Sequence, residues 1–206
     1  MSSPHACPAC GAPLYGWLQA RGGDAGLEGA PAVLERCERC GLGIAAGVGE
    51  DDAAAALLGE AHELPGGKLE LTVANRASIQ ATWGGAHWAA VEPGRRIYPT
   101  PDSLPALGAA AGLEIEELRF PGWGRGQGWM WQTILNGLTF HDNFAREARV
   151  GRLRPTGSAG ERLKFALDVV VTLLAALPAA LLSAPLELVA ALFRRGGEIT
   201  AVARRS

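Results

Sequence analysis

Leu64–Phe120 reads LPGGKLELTVANRASIQATWGGAHWAAVEPGRRIYPTPDSLPALGAAAGLEIEELRF, and the order of elements in it decides the fold class. Lys68–Ala74 alternates toward Leu69, Leu71 and Val73 with β-branched neighbours, which predicts a strand that begins after the Pro65-Gly66-Gly67 turn. Pro101–Ala111 predicts a short helix ended by Gly112, and Leu113–Arg119 alternates as a second strand. Upstream, Asp51–Leu64 (DDAAAALLGEAHEL) combines good helix formers with acidic residues at its N-terminus, where they complement the helix dipole; it predicts a helix that stops at Pro65. Downstream, Glu198–Ala203 predicts the last strand. The fold class is therefore α/β.

The chain has 206 residues, and its 48% hydrophobic content fits one or two globular domains rather than a disordered chain. Its net charge of -2 hides an asymmetry: residues 1–120 carry 8 Lys/Arg against 15 Asp/Glu, whereas residues 121–206 carry 11 against 6. A basic excess beside apolar sequence points toward an anionic membrane surface, although a solvated face has the same composition. Met1–Pro13 is polar and lacks the apolar stretch of a signal peptide, so the expected location is cytoplasmic.

All four cysteines fall into two pairs, CPACG at Cys7–Gly11 and CERCG at Cys37–Gly41. Two residues between thiols let one tight turn aim both sulfurs at a common point, and the following glycine permits the positive φ that such a turn needs. Four thiolates satisfy tetrahedral Zn²⁺, so Cys7, Cys10, Cys37 and Cys40 are the expected metal ligands of a zinc ribbon over residues 1–50. Such a site is closed and structural, with no open position for substrate. With only three Arg against five acidic residues in that span, no nucleic-acid surface is expected.

The motifs Leu64-Pro-Gly-Gly67, Asn75 with Ser78, Tyr98 in the IYPTP run, Ser103-Leu104 and Ala111-Gly112-Leu113 together resemble the region after the fourth strand of class I S-adenosylmethionine-dependent methyltransferases. The resemblance covers about 57 residues, with Gly196–Arg204 as a final antiparallel strand. It implies a truncated Rossmann-like remnant over residues 51–120 and a link to sugar, lipid or other small-molecule chemistry. The family's glycine-rich turn and ribose-binding acid belong to the first βαβ unit. Only 23 positions separate Cys40 from Glu63, and four strands with their helices need on the order of 100 residues. The one glycine-rich candidate, Gly41–Glu50 (GLGIAAGVGE), follows Cys40 instead of an apolar strand and reads as a knuckle glycine followed by a loop. S-adenosylmethionine is therefore not expected to bind the isolated chain. Relatives often carry His around the Arg-x-x-Tyr stretch, where this chain has Arg96 and Pro99; His87 and Tyr98 remain as acid/base candidates. A lone His beside Trp83 and Trp88 fits a packed, hydrogen-bonded role as well.

Phe165–Phe193 reads FALDVVVTLLAALPAALLSAPLELVAALF, with 18 uncharged residues between Asp168 and Glu187, the lower edge of a transmembrane helix. Splitting at Pro178 gives halves of 13 and 15 residues, each about 20 Å long and too short to cross a core of about 30 Å. Both ends must also emerge on one side if Leu113–Arg119 and Glu198–Ala203 share a sheet. A re-entrant or interfacial hairpin is thus expected within a membrane-associated insertion over residues 121–195, before a returning strand over 196–206. Trp123, Trp129 and Trp131 read as an interfacial aromatic belt, and Trp131, Ile134, Leu135 and Leu138 as one face of a surface helix. Arg146, Arg149, Arg152, Arg154, Arg162 and Lys164 follow. A hairpin buried in a dimer or larger assembly has the same pattern.

Three functions fit: a non-catalytic binding or scaffold protein, in effect a pseudoenzyme, tied to lipid or glycan precursors; a methyltransferase whose missing half comes from a partner chain; and a zinc-ribbon adaptor.

Overall fold

In the computed structural model, residues 6–18, 33–92, 94–154 and 157–206 are described. An N-terminal sheet begins with β1 (Leu14–Leu18), β2 (Leu34–Cys37) and β3 (Gly43–Ala45), each antiparallel to the next. The chain continues through helix α1 (Glu50–Leu58), β4 (Ala61–Leu64), β5 (Lys68–Ala74) and α2 (Ile79–Gly84). A 3₁₀ turn at Gly85–His87 leads to the two-residue strand β6 (Ile97–Tyr98), which returns to pair with β3 and completes the N-terminal sheet. Next come α3 (Leu104–Ala110), β7 (Leu113–Arg119), α4 (Arg125–Asn136), α5 (Phe144–Arg149), α6 (Ala159–Leu192) and β8 (Glu198–Arg205).

The second, main sheet has the order β4-β5-β8-β7, with β8 antiparallel to both of its neighbours. The expected strands over Lys68–Ala74, Leu113–Arg119 and Glu198–Ala203 therefore meet in one sheet. Apolar alternation fixes the register: Leu69, Leu71 and Val73 bury one face against α1 and α3, where Leu57, Leu104 and Leu107 complete the core. The same core contains Cys7, Leu14, Cys37 and Leu42, so the N-terminal sheet and the α/β unit share it.

Three expectations need correction. The helix predicted over Asp51–Leu64 ends at Leu58, and Ala61–Leu64 pairs antiparallel with Leu71–Lys68 across the Pro-Gly-Gly turn. All four residues of this segment find backbone partners in β5, so hairpin pairing overrides helix propensity there. Gly41–Glu50 is more than a loop, because Gly43–Ala45 supplies the third strand of the N-terminal sheet.

The third correction is the largest. There is no hairpin at Pro178: α6 runs unbroken for 34 residues with Pro178 and Pro185 inside it. Each proline removes one backbone hydrogen bond, at a cost of about 3 kcal/mol. The helix tolerates this because Ala and Leu flank both sites and Ser158 caps its start, accepting from the Glu161 amide. Seven residues apart, the two prolines lie on the same outward face, so any bend they impose has one sense along the body.

α4 lies antiparallel to α6 along most of its length. Contacts run from Gly126 near Glu187, through Gln127 to Ser183 (3.1 Å) and the Trp131 indole to the Ala176 carbonyl (2.9 Å), to the Phe140 amide on Asp168 (2.7 Å). At the junction of α2, α4, α6 and β8, Glu187 accepts from the Gly197 amide and from Gln80 Nε2, and Glu198 accepts from the Gly126 amide. Asn75 closes the junction by donating to the Gly196 carbonyl at 2.8 Å.

This junction has no spare volume. A Cβ at Gly126 would sit 2.6 Å from Glu187 Oε1, so Gly126→Ala is expected to destabilise the fold in chemical denaturation, by about 1–3 kcal/mol. Burial, reinforced by Glu198, pushes the Glu187 carboxyl above its ordinary range, against the Gly197 and Gln80 hydrogen bonds that favour its charged form. A carboxyl raised on folding gives stability that is complete below its unfolded pKa and is lost as pH rises through the folded value. Glu187→Gln should therefore gain stability relative to the parent as pH rises from about 4. A stability difference that stays constant with pH would contradict this.

Candidate functional site

The two Cys-x-x-Cys turns are built alike. Gly11 N donates to the Cys7 carbonyl and Gly41 N to the Cys37 carbonyl, at 2.8 and 2.9 Å, and the two glycines take φ of +70° and +74°. Each turn is closed below by a second bond, Cys7 N to the Ala12 carbonyl and Cys37 N to the Leu42 carbonyl. The four sulfurs lie within 4.8 Å of one another, with Cys7–Cys40 at 3.6 Å and Cys10–Cys37 at 3.4 Å. A tetrahedron of metal–sulfur bonds of about 2.3 Å needs sulfurs roughly 3.8 Å apart, so the donor set fits one metal ion.

Backbone amides already point at the sulfurs. For Cys37, burial acts upward, but the N–H groups of Cys40 and Arg39 and the Cys10 thiol outweigh it and hold the thiol at about 7. Burial pushes Cys7 and Cys40 up instead. A bound cation favours the thiolate in every case, so metal uptake releases protons and weakens in acid. Four protein donors leave no coordination position open, which makes the site a structural clamp.

Besides the shared core and the β3–β6 pairing, polar and aromatic contacts tie the clamp to the body. Thr100 Oγ1 donates to the Cys40 carbonyl at 2.7 Å, and Trp17 of β1 lies 6.2 Å from Trp88 and 6.5 Å from Tyr98 with the Arg76 guanidinium 4.3 Å over its ring.

Tyr98 is wholly buried in that aromatic cluster, its hydroxyl donates to the Arg95 carbonyl at 3.4 Å, and burial pushes its phenol upward. His87 is partly exposed, with Nδ1 at 2.8 Å from Asp142 Oδ1. The structure thus does not bring His87 and Tyr98 together as an open acid/base pair.

The long helix presents the second candidate surface. Asp168, Ala179, Ser183, Glu187, Ala190 and Ala191 face the protein, while Leu173, Leu174, Leu177, Leu181 and Leu192 are each about 70% exposed or more. Only 11% of its most apolar window is buried. The helix is therefore inverted relative to an ordinary surface helix, polar side in and leucines out. Asp168 is fully buried and accepts from the amides of Phe140 and His141 and from His141 Nδ1.

The expected aromatic belt is corrected in part. Trp123 is exposed, but Trp129 is buried and donates to Glu92, and Trp131 donates to α6. Nor is α4 a surface helix, because α2 and α6 enclose it and Leu135 is fully buried. Phe140, whose amide donates to Asp168, is exposed beside the N-terminal half of α6, a position the sequence pattern did not single out, and Leu138 is exposed as well. The missed signal was the spacing Asp168, Thr172, Ala176, Ala179, Ser183, Glu187, a polar or small residue at every helical turn.

No family model matches the chain, and no curated protein or solved structure is significantly similar to it.

The metal clamp is testable by removal. Purified under reducing conditions, the protein should carry one metal ion per chain, and chelation should shift tryptophan emission to the red as Trp17 leaves Trp88 and Tyr98. Cys37→Ser should lose most of the bound metal by elemental analysis, whereas an unchanged content would remove the four-cysteine site.

Proposed function

We propose that this protein is a membrane-associated, non-catalytic binding or scaffold protein on the cytoplasmic face. In this reading zinc staples its N-terminal ribbon, and its α/β unit is a methyltransferase-like remnant tied to lipid or glycan precursor modification. The observation that carries it is the inverted helix α6, whose leucines face outward while its acids are satisfied inside. Water would not favour that arrangement, but a lipid phase would.

Zinc is the preferred metal because four thiolates in a closed tetrahedral set suit it best. The methyltransferase resemblance draws support from topology: the final antiparallel strand it implies matches β8, which pairs with the strand after Pro65-Gly66-Gly67. The cofactor half has no counterpart in the sequence. Completion by a partner chain is disfavoured because β4 occupies the edge of β5 that further strands would need. The low positive charge of residues 1–50 speaks against a nucleic-acid adaptor.

Two measurements on the zinc-loaded full chain test the reading. It should float with phospholipid vesicles in a density gradient, and titration calorimetry with S-adenosylmethionine should give no saturable heat. Absence from the vesicle fraction would overturn the membrane assignment, and a micromolar dissociation constant for S-adenosylmethionine would overturn the non-catalytic one.

A further inference from the structure

We propose that α6 lies flat in the headgroup–acyl boundary of one leaflet of an anionic phospholipid bilayer, leucine face down, with its basic ends against lipid phosphates. The inference rests on the membrane reading above and fixes its geometry and lipid class.

Length and composition alone permit a span. The packing does not, because protein flanks α6 from Phe165, 5.1 Å from the Phe144 ring, to Leu188 and Ala191, which touch Gly122. A helix crossing the bilayer would carry this flank in with it. Midway along α4, the Trp129 indole donates to Glu92, and Glu92 pairs with Arg146, whose side chain is 36% exposed. The His87–Asp142 pair lies on the same flank, with Asn136 of α4 donating to the His87 carbonyl. A span would set these partly exposed polar and charged side chains at membrane depth, where they are costly. Lying flat leaves them on the water side.

The outer face suits a planar apolar phase. Between Asp168 and Glu187 it carries no charge, since both acids are fully buried against protein. The 34-residue helix is about 51 Å long, well beyond a core of roughly 30 Å but free of mismatch when in plane. Exposed Trp123, next to the Gly122 contact, flanks its C-terminal end, and exposed Phe140, whose amide binds Asp168, flanks its N-terminal half. Aromatic side chains at such positions favour the interface.

Charge selects the lipid over a second copy of the chain. Arg162 and Lys164 are exposed at one end of the helix, where Lys164 pairs with Glu161 at 2.8 Å, and Arg194 and Arg195 are exposed at the other, so each end keeps a net positive charge. A parallel copy would set each basic end on its like, and an antiparallel copy would set Arg194 and Arg195 against Arg162 and Lys164. Either pairing brings cations together, whereas an anionic leaflet neutralises both ends.

The test uses the full chain with a nitroxide amino acid placed by nonsense suppression at Leu163, Leu177 or Leu192, which leaves the cysteines untouched. In vesicles of phosphatidylcholine and phosphatidylserine, paramagnetic quenching should put all three labels at one shallow depth, about 5–10 Å. A deep Leu177 label with Leu163 and Leu192 in water would show a span and overturn the flat geometry while leaving membrane association standing. Labels outside lipid at all three positions would overturn the membrane reading itself. Arg162→Ala/Lys164→Ala/Arg194→Ala/Arg195→Ala, with helicity checked by circular dichroism, should bind these vesicles at least about tenfold more weakly. Equal binding by parent and variant, or parent binding unaffected by omission of phosphatidylserine, would overturn the anionic-lipid assignment.

Discussion

The orientation of α6 depends on the burial of Glu187. A carboxylate removed from water must find donors, and Glu187 finds the Gly197 amide and Gln80. Those bonds fix which face of the helix turns inward. They also set where β8 begins, because Gly197 precedes its first residue, and Asn75 holds Gly196 from the other side. Asp168, at the other end of the stripe, takes two amides from the turn after α4. Two acids about five turns apart thus position a helix whose leucines contribute little to the protein core. An apolar contact could slide along such a surface, whereas carboxylate–amide bonds admit one register.

The N-terminal sheet meets the same demand differently. Strands of three to five residues cannot bury enough apolar area alone, so the sheet borrows the core of the α/β unit and adds the cysteine clamp to it. Its fourth strand, Ile97–Tyr98, comes from the α/β unit, and Thr100 ties the Cys40 carbonyl to the following turn. Metal binding is thereby coupled to the aromatic cluster of Trp17, Trp88 and Tyr98, the second core of the molecule. Loss of the ion would reach that core directly.

What could be read from the sequence was whatever a local pattern encodes. The three alternating strands and the paired cysteine turns needed only period-two burial and thiol spacing, and they appear where expected. The end of the Asp51–Leu64 segment could not be resolved locally, because Ala61–Leu64 becomes a strand only when β5 is there to pair with it. Pro178 misled for a related reason: its local penalty is real, but the inward stripe from Asp168 to Glu187 holds both sides of the helix on one continuous flank. Tyr98 is an acid/base candidate by residue type alone, and its burial against Trp17 and Trp88 is a tertiary feature that no local pattern encodes.

The main sheet also bears on how the protein works with others. One edge is β4, only four residues long. The other is β7, where Glu114 pairs with Arg204 and Glu116 with Lys68. Short edge strands and outward charge are the usual means of preventing further strand addition. A chain completed by a partner's strands would need an open, unprotected edge beside β5. Instead the open surface is the leucine face of α6, on the far side of α4 from α2. In the proposed reading association runs through that helix face and its basic ends rather than through the sheet, as a scaffold at a lipid surface would have it.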